Sequence, residues 1–285
     1  MRVLVTGGRG QLAADLVSQL VDHEVIALGR DRLDVRSPTQ IRKVIERHRP
    51  QIVVNTAAFH RVDRCESEPE QSFLVNAAAP RRLAEASRDA GALLVHFSTD
   101  YVFDGEKAEP YVEDDPVRPL SVYGASKAAG ESAIRCTTDE HLIVRSSGLY
   151  GHRGQKSHHG NFVETMLRLS MKGEPIPVVA DQVLTPTYTR DLAAVVRRLI
   201  EEGAKGTYHV TNGGACSWYE FSLEIMRLAG KKIPVLPTSQ LERPLPARRP
   251  AYSVLAHDAI RRLGIEEPRP WQEALAAYMD GRSPA

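Results

Sequence analysis

Cysteine is scarce: Cys65, Cys136 and Cys216 are all there are in 285 residues, an odd number with no Cys-x-x-Cys pair. That excludes a disulfide scaffold and reads as three core thiols in a reducing compartment. A surplus of either charge is also missing, since 37 Lys and Arg face 36 Asp and Glu for a formal net charge of +1. Without a basic excess the chain has no electrostatic footprint for nucleic acid or an anionic membrane, and any anionic ligand must be held locally. No apolar run approaches the roughly 18 residues of a membrane-spanning helix. The sequence opens Met1-Arg2 and enters an apolar strand at once, without the pattern of a secretory leader, so a cytoplasmic protein is expected. Internal repeats and low-complexity tracts are absent too.

What is present is an ordinary globular composition, 42% hydrophobic and 26% charged, on a chain longer than most single domains. Short, nearly continuous apolar runs at 2–6, 24–28, 52–55, 93–98 and 142–145 read as strands buried on both faces. Between them, 11–21, 38–48, 69–90 and 124–135 carry apolar residues at helical spacing, and Pro38 and Pro69 sit where a first helical turn tolerates proline. Strand alternating with helix predicts an α/β fold, a Rossmann-type doubly wound parallel sheet. After about residue 150 prolines cluster and the texture becomes loop-rich, with helices expected near 162–171, 189–202, 218–228 and 271–279. Residues 1–150 therefore read as the sheet domain, and 151–285 mostly as a smaller C-terminal domain with segments returning to the sheet.

The first strand runs into Thr6-Gly7-Gly8-Arg9-Gly10-Gln11-Leu12-Ala13 and then a helix. Such a turn lets backbone approach a pyrophosphate lying on the free N–H groups of the helix start, the mark of a dinucleotide-binding domain. Two registers fit, G-x-G-x-x-A through Gly8, Gly10 and Ala13 and G-x-x-G-x-x-A through Gly7, Gly10 and Ala13. At the end of the second strand, Arg30 suits the 2′-phosphate of NADPH, while Asp31 keeps NADH open. Further on, Tyr123-Gly124-Ala125-Ser126-Lys127 sets a phenol and an ammonium one helical turn apart. A nearby cation lowers a tyrosine's pKa, so Tyr123 can protonate a reduced carbonyl with Lys127 as its tuner. Thr99, at the carboxyl end of a strand, is placed to hydrogen-bond and polarise the same carbonyl.

These segments, with Asn55-Thr56-Ala57-Ala58, Ser98-Thr99-Asp100-Tyr101-Val102-Phe103-Asp104-Gly105 and Gly130-Glu131, resemble the extended short-chain dehydrogenase/reductase superfamily. Within it the chain is most similar to the dTDP-4-dehydrorhamnose reductases, over nearly its whole length. The resemblance implies reduction of a nucleotide-linked 4-keto-6-deoxy sugar to dTDP-L-rhamnose by hydride from NADPH or NADH. It makes Thr99, Tyr123 and Lys127 the catalytic triad. It lines the dinucleotide with Gly7, Gly10, Gln11, Leu12, Arg30, Asp34, Val35, Ala57, Ala58, Phe59 and His60, together with Tyr123 and Lys127. Thr99, Asp100 and Gly148 would meet the substrate. Members of the family pair as dimers through magnesium held by acidic residues, so a homodimer is a further implication, although nothing here identifies those carboxylates.

Three positions depart from the family pattern. Gly148 stands where an aromatic residue is common, Leu184 where a small residue is usual, and Tyr252-Ser253 where Asn-Ser is common. All three concern the sugar-nucleotide side, and Gly148 implies extra room there unless Phe162, Tyr188 or Tyr252 fills it. Arg249, in a loop before Pro250, has the geometry to clamp a diphosphate. His152, His158 and His159 lack a carboxylate or cysteine at ligand spacing, so no metal is expected. Trp218, Tyr219 and Trp271 read as packing anchors. A sugar-nucleotide 4-epimerase, which keeps its cofactor oxidised through the cycle, and a catalytically idle sugar-nucleotide-binding subunit are the rival readings.

Overall fold

The computed structural model describes residues 1–156 and 160–282. Six parallel strands form the central sheet: β1 Arg2–Thr6, β2 Glu24–Leu28, β3 Ile52–Asn55, β4 Leu93–Thr99, β5 His141–Ser146 and β6 Gly206–His209. Their order is β6-β5-β4-β3-β1-β2. The chain therefore leaves β1 in one direction to reach β2 and in the other to reach β3. In an open α/β sheet the ligand crevice lies beyond the carboxyl ends of the strands at such a switch point. The glycine turn follows β1 and Thr56-Ala57-Ala58 follows β3, so both border that crevice.

Each face of the sheet has its own core. Leu12, Ala13 and Leu16 of the helix Gln11–Gln19 pack with Leu192, Val196 and Leu199 of the helix Thr189–Glu201 over Val3, Val5 and Val95. On the other face, Ile41, Ile45, Leu83 and Ile134 from three helices cover Leu4, Val53, Leu94 and Ile143. Alternate residues of each strand thus serve opposite cores, which is why the strands read as continuous apolar runs. A third cluster, from Tyr150, Val163, Tyr188, Phe221, Trp271 and Tyr278, is built wholly by the second half of the chain.

The expected strands and helices recur with boundaries moved by a residue or two. The helix expected over 69–90 is instead three pieces, Pro69–Phe73, a wide π turn Leu74–Ala78 and Ala79–Asp89. The backbone of Gly130 presses on that turn so closely that a Cβ there would lie 2.1 Å from the Asn76 carbonyl oxygen. β6, the short helix Val62–Ser67 and the short helix Asp258–Arg262 had no periodic signal of their own. Cys65 and Cys216 are buried, but Cys136 is exposed, because it caps the outer end of the helix Val122–Arg135. No helix among the described residues is long and apolar enough to cross a membrane.

Candidate active site

A cleft of about 880 Å³ opens at the carboxyl end of the sheet. Its adenosine end is set by the glycine turn. Gly7 has φ +67°, and a Cβ there would lie 2.8 Å from Thr56 Oγ1, while one at Gly8 would lie 2.9 Å from the β2 backbone. Both glycines are therefore required, and the choice between the two registers dissolves. The following helix begins at Gly10 with no side chain capping it, so its first N–H groups are left for an anion such as a pyrophosphate. Gly7, Gly10, Gln11, Leu12, Arg30, Asp34, Val35, Ala57, Ala58, Phe59 and His60 all line this cleft.

Charges at this end are sorted by pairing. Arg36 grips Asp34, with Nε 2.9 Å from Oδ1 and Nη2 2.5 Å from Oδ2, and holds that carboxyl down at about 2. Asp31 is engaged by Arg9 at 2.7 Å. Arg30 makes only a 3.8 Å approach to Asp34 and its side chain is 74% exposed. Both acids are thus neutralised by other arginines, and Arg30 has the weakest commitment of the three. A 2′-phosphate fits that arrangement better than a bare ribose hydroxyl pair, which an unpaired acid would serve.

Asn76 supplies a contact that no sequence signal identified. Swung inward by the π turn, its side chain accepts from Phe59 N at 2.8 Å and donates to Phe59 O at 3.0 Å. It thereby fixes the loop that lines the cleft, and wide turns of this kind recur at functional sites.

Thr99, Tyr123 and Lys127 also line the cleft. Ser121 caps the helix Val122–Arg135, accepting from Gly124 N at 3.2 Å, and Glu66 accepts from Val122 N at 2.8 Å. Gly124 and Gly130 let that helix lie directly on neighbouring backbone, so Tyr123 and Lys127 face the end of β4. Burial pushes the Tyr123 phenol well above the ordinary tyrosine value, the Thr99 hydroxyl works against this, and the Asp100 carboxylate adds to it. The expected lowering by Lys127 is not what the site displays. Lys127 Nζ instead donates to Phe97 O at 2.5 Å and lies 3.3 Å from His96 Nε2. Burial draws its ammonium down to about 8, with Glu131 one turn away opposing the shift.

Thr99 also departs from expectation. Its hydroxyl donates to Asp100 Oδ1 at 2.9 Å, and its oxygen accepts from Tyr101 N at 3.2 Å. A carboxylate accepts only, so the single Thr99 proton is committed and must be redirected before it can polarise a carbonyl. Asp100 is wholly buried and takes two more hydroxyls, from Ser147 at 2.8 Å and Ser253 at 2.6 Å. Burial raises its pKa and these three hydroxyls oppose the rise. Asp100 touches the cleft, yet its oxygens are spent on holding Thr99 and the β5 loop in place.

At the sugar end Gly148 lines the cleft but leaves no void. It has φ +54°, and a Cβ there would lie 3.0 Å from Leu184 Cδ1 and 3.4 Å from Trp218 Cη2. Leu184 and Trp218 both border the cleft, with Phe162 packed behind Trp218 at 4.3 Å between ring centres. So two of the three departures compensate each other, the larger Leu184 standing where Gly148 has no side chain. Trp218 is a wall residue as well as a packing residue; Trp271 is a core anchor. Tyr188 is buried in the second core, and Tyr252 packs beside Tyr111 and Leu255. Arg249 is the one predicted site residue outside the cleft lining. It is held by Asp63 at 2.8 Å and by the Ala247 carbonyl at 2.9 Å, and it also engages Tyr101, which does line the cleft.

The family model for the RmlD substrate binding domain matches residues 1–283. The chain belongs to the RmlD family. Spore coat polysaccharide biosynthesis protein SpsK of Bacillus subtilis is 45% identical over all of this chain and 99% of its own. The dTDP-4-dehydrorhamnose reductase of Burkholderia thailandensis is 40% identical over 96% of this chain and 97% of its own. Among solved structures, the dTDP-4-dehydrorhamnose reductase of Bacillus anthracis in complex with NADP superposes with a TM-score of 0.93 at 39% identity, covering 98% of each chain. RmlD membership agrees with the sheet order and with the cleft at its switch point.

Within this RmlD-family chain, no group of three or more His, Cys, Asp or Glu among the described residues has the arrangement of a metal site. His152 stacks on Tyr278 with ring centres 4.7 Å apart. His158 and His159 lie outside the described residues.

Proposed function

We propose that the protein is an NADPH-dependent reductase of a dTDP-linked 4-keto-6-deoxy sugar, with dTDP-4-dehydrorhamnose the substrate and dTDP-L-rhamnose the product. The observation that carries this is Tyr123, a phenol kept protonated by burial, set with Thr99 and Lys127 at the floor of a cleft whose mouth is an uncapped helix start and an exposed, weakly paired arginine. When bound, the reduced nicotinamide supplies the hydride.

The chain's own residues do the rest. The glycine turn and Arg30 hold phosphates, the Asn76-braced Phe59 loop fixes the cofactor's position, and Leu184 with Trp218 closes the sugar end against water. Tyr123 delivers its proton to the oxygen of the reduced carbonyl, and the Lys127 ammonium stabilises the phenolate that remains. Thr99 turns from Asp100 to the substrate as it enters. Residues 1–150 carry the dinucleotide chiefly and 151–285 the sugar nucleotide. The proposal includes a cytoplasmic location and a homodimer, the latter read by sedimentation velocity.

Loss of NADPH absorbance with a panel of dTDP-, GDP- and UDP-linked 4-keto-6-deoxy sugars tests the function. Turnover with the dTDP sugar and NADPH is expected. Cofactor retained through purification in its oxidised form, with no net consumption of NADPH, would instead mark a 4-epimerase.

A further inference from the structure

Below the active-site lysine runs a line of buried polar groups that the mechanism above does not use. Thr6, Asn55 and His96 occupy matching register positions on the adjacent strands β1, β3 and β4, and none is more than 1% exposed. Thr6 Oγ1 donates to Asn55 Oδ1 at 2.7 Å, Asn55 Nδ2 lies 3.0 Å from His96 Nδ1, and His96 Nε2 lies 3.3 Å from Lys127 Nζ. Polar groups in the middle of an apolar sheet are costly unless each is satisfied, so their protonation can be worked out by elimination.

The Ala57 backbone N–H, which can only donate, points at Asn55 Oδ1 from 3.2 Å. That settles the amide orientation, so the NH₂ group faces His96. His96 Nδ1 must then accept, and the neutral ring carries its proton on Nε2. Full burial favours the neutral ring, and the neighbouring Lys127 charge disfavours imidazolium further. An N–H therefore faces the lysine nitrogen where an acceptor would be expected.

We propose that His96 is a positioning residue for Lys127, locked by Asn55 as the Nε2–H tautomer so that it opposes the ammonium and leaves the Phe97 carbonyl as the lysine's fixed acceptor. The remaining lysine protons are directed to the cleft. The charged and titratable groups around Lys127 and Tyr123 are His96 from β4, Asp100 and Tyr101 from the turn that follows β4, Glu131 from their own helix, and Cys65 from the Val62–Ser67 helix. Glu131 is matched by Arg145 of β5 at 2.7 Å and by Arg135 at 2.8 Å, so its pull on Lys127 is weakened. His96 is the neighbour in direct contact whose hydrogen works against the lysine's charge.

Two readouts test this, and only the second rests on the reductase function. In the wild-type protein without ligand, long-range ¹H–¹⁵N correlation of the histidine rings is expected to give the neutral Nε2–H pattern for His96, unchanged from pH 6 to pH 9. An Nδ1–H tautomer or an imidazolium would overturn the proposal, whatever the enzyme's substrate. His96→Gln places a carbonyl oxygen within reach of Nζ and is expected to move the alkaline limb of kcat/KM upward by roughly one pH unit, a tenfold gain in lysine proton affinity. A variant that loses kcat but keeps the wild-type limb would assign His96 a structural role alone and overturn the positioning role.

Discussion

At the residue scale, the site is governed by which protons are free to move. Tyr123→Phe is expected to lower kcat by about 10²–10⁴-fold, the usual worth of general acid catalysis, while NADPH affinity from fluorescence titration stays within about twofold. Arg30→Asp is expected to shift the NADPH-to-NADH ratio of kcat/KM toward NADH by roughly 10–150-fold, since Asp31 and Asp34 are already paired and Arg30 is less firmly held than Arg9 and Arg36. Trp218→Ala is expected to raise KM for the sugar nucleotide about tenfold with NADPH binding unchanged, because its ring walls the sugar end alone. That Tyr123, Lys127 and Thr99 line one cleft was legible, because an i, i+4 phenol and ammonium share a helix face and a hydroxyl at a strand's carboxyl end borders the crevice. The pairing of Arg249 was not legible, because sequence spacing does not register Asp63, 186 positions away in the chain and 2.8 Å away in space. His96 had a signal, a histidine inside an apolar strand, but its partners come from other strands.

At the element scale, the helix Val122–Arg135 is seated by two glycines against backbone as well as by its core side chains. A Cβ at Gly124 would lie 2.2 Å from the Tyr101 carbonyl oxygen, and one at Gly130 2.1 Å from that of Asn76. Gly130→Ala must therefore push the helix off the π turn. Overpacking of this kind costs about 1–3 kcal/mol, so a lower urea midpoint is expected, and NADPH affinity should fall with it because Asn76 braces the Phe59 loop. An unchanged cofactor affinity would show that the brace is dispensable. The elements themselves were readable wherever a helix covers a two-faced strand. The π turn was not, since Leu74-Val75-Asn76-Ala77-Ala78 keeps helical periodicity and the backbone it lies against, at Gly130, is far along the chain.

At the scale of the whole molecule, the buried lysine to which the proposed mechanism assigns a role weakens the fold. Its pKa drops from the ordinary lysine value of 10.5 to about 8, so between those values the unfolded chain binds more protons and stability rises with pH. Below pH 8 the full cost is present, about 3 kcal/mol at 1.36 kcal/mol per unit. Lys127→Met removes that cost and leaves the Phe97 carbonyl without its partner, for an expected net gain of about 1–2 kcal/mol at pH 7 that shrinks toward pH 10. Urea unfolding at the two pH values measures it, and a variant less stable than wild type at pH 7 refutes the sign. The parallel sheet was legible from alternation alone, whereas the contribution of 151–282 to it through β6 and the Thr189–Glu201 helix was foreseen only in outline. The wall at Gly148, Leu184 and Trp218 joins three distant segments, and this constrains how the protein can change by mutation. Restoring a side chain at Gly148 meets a left-handed backbone and two occupied positions, so an aromatic residue there is deleterious until Leu184 has shrunk and Trp218 has given way. The three positions are therefore coupled: a side chain at 148 and a smaller residue at 184 have to be introduced together for the wall to stay filled.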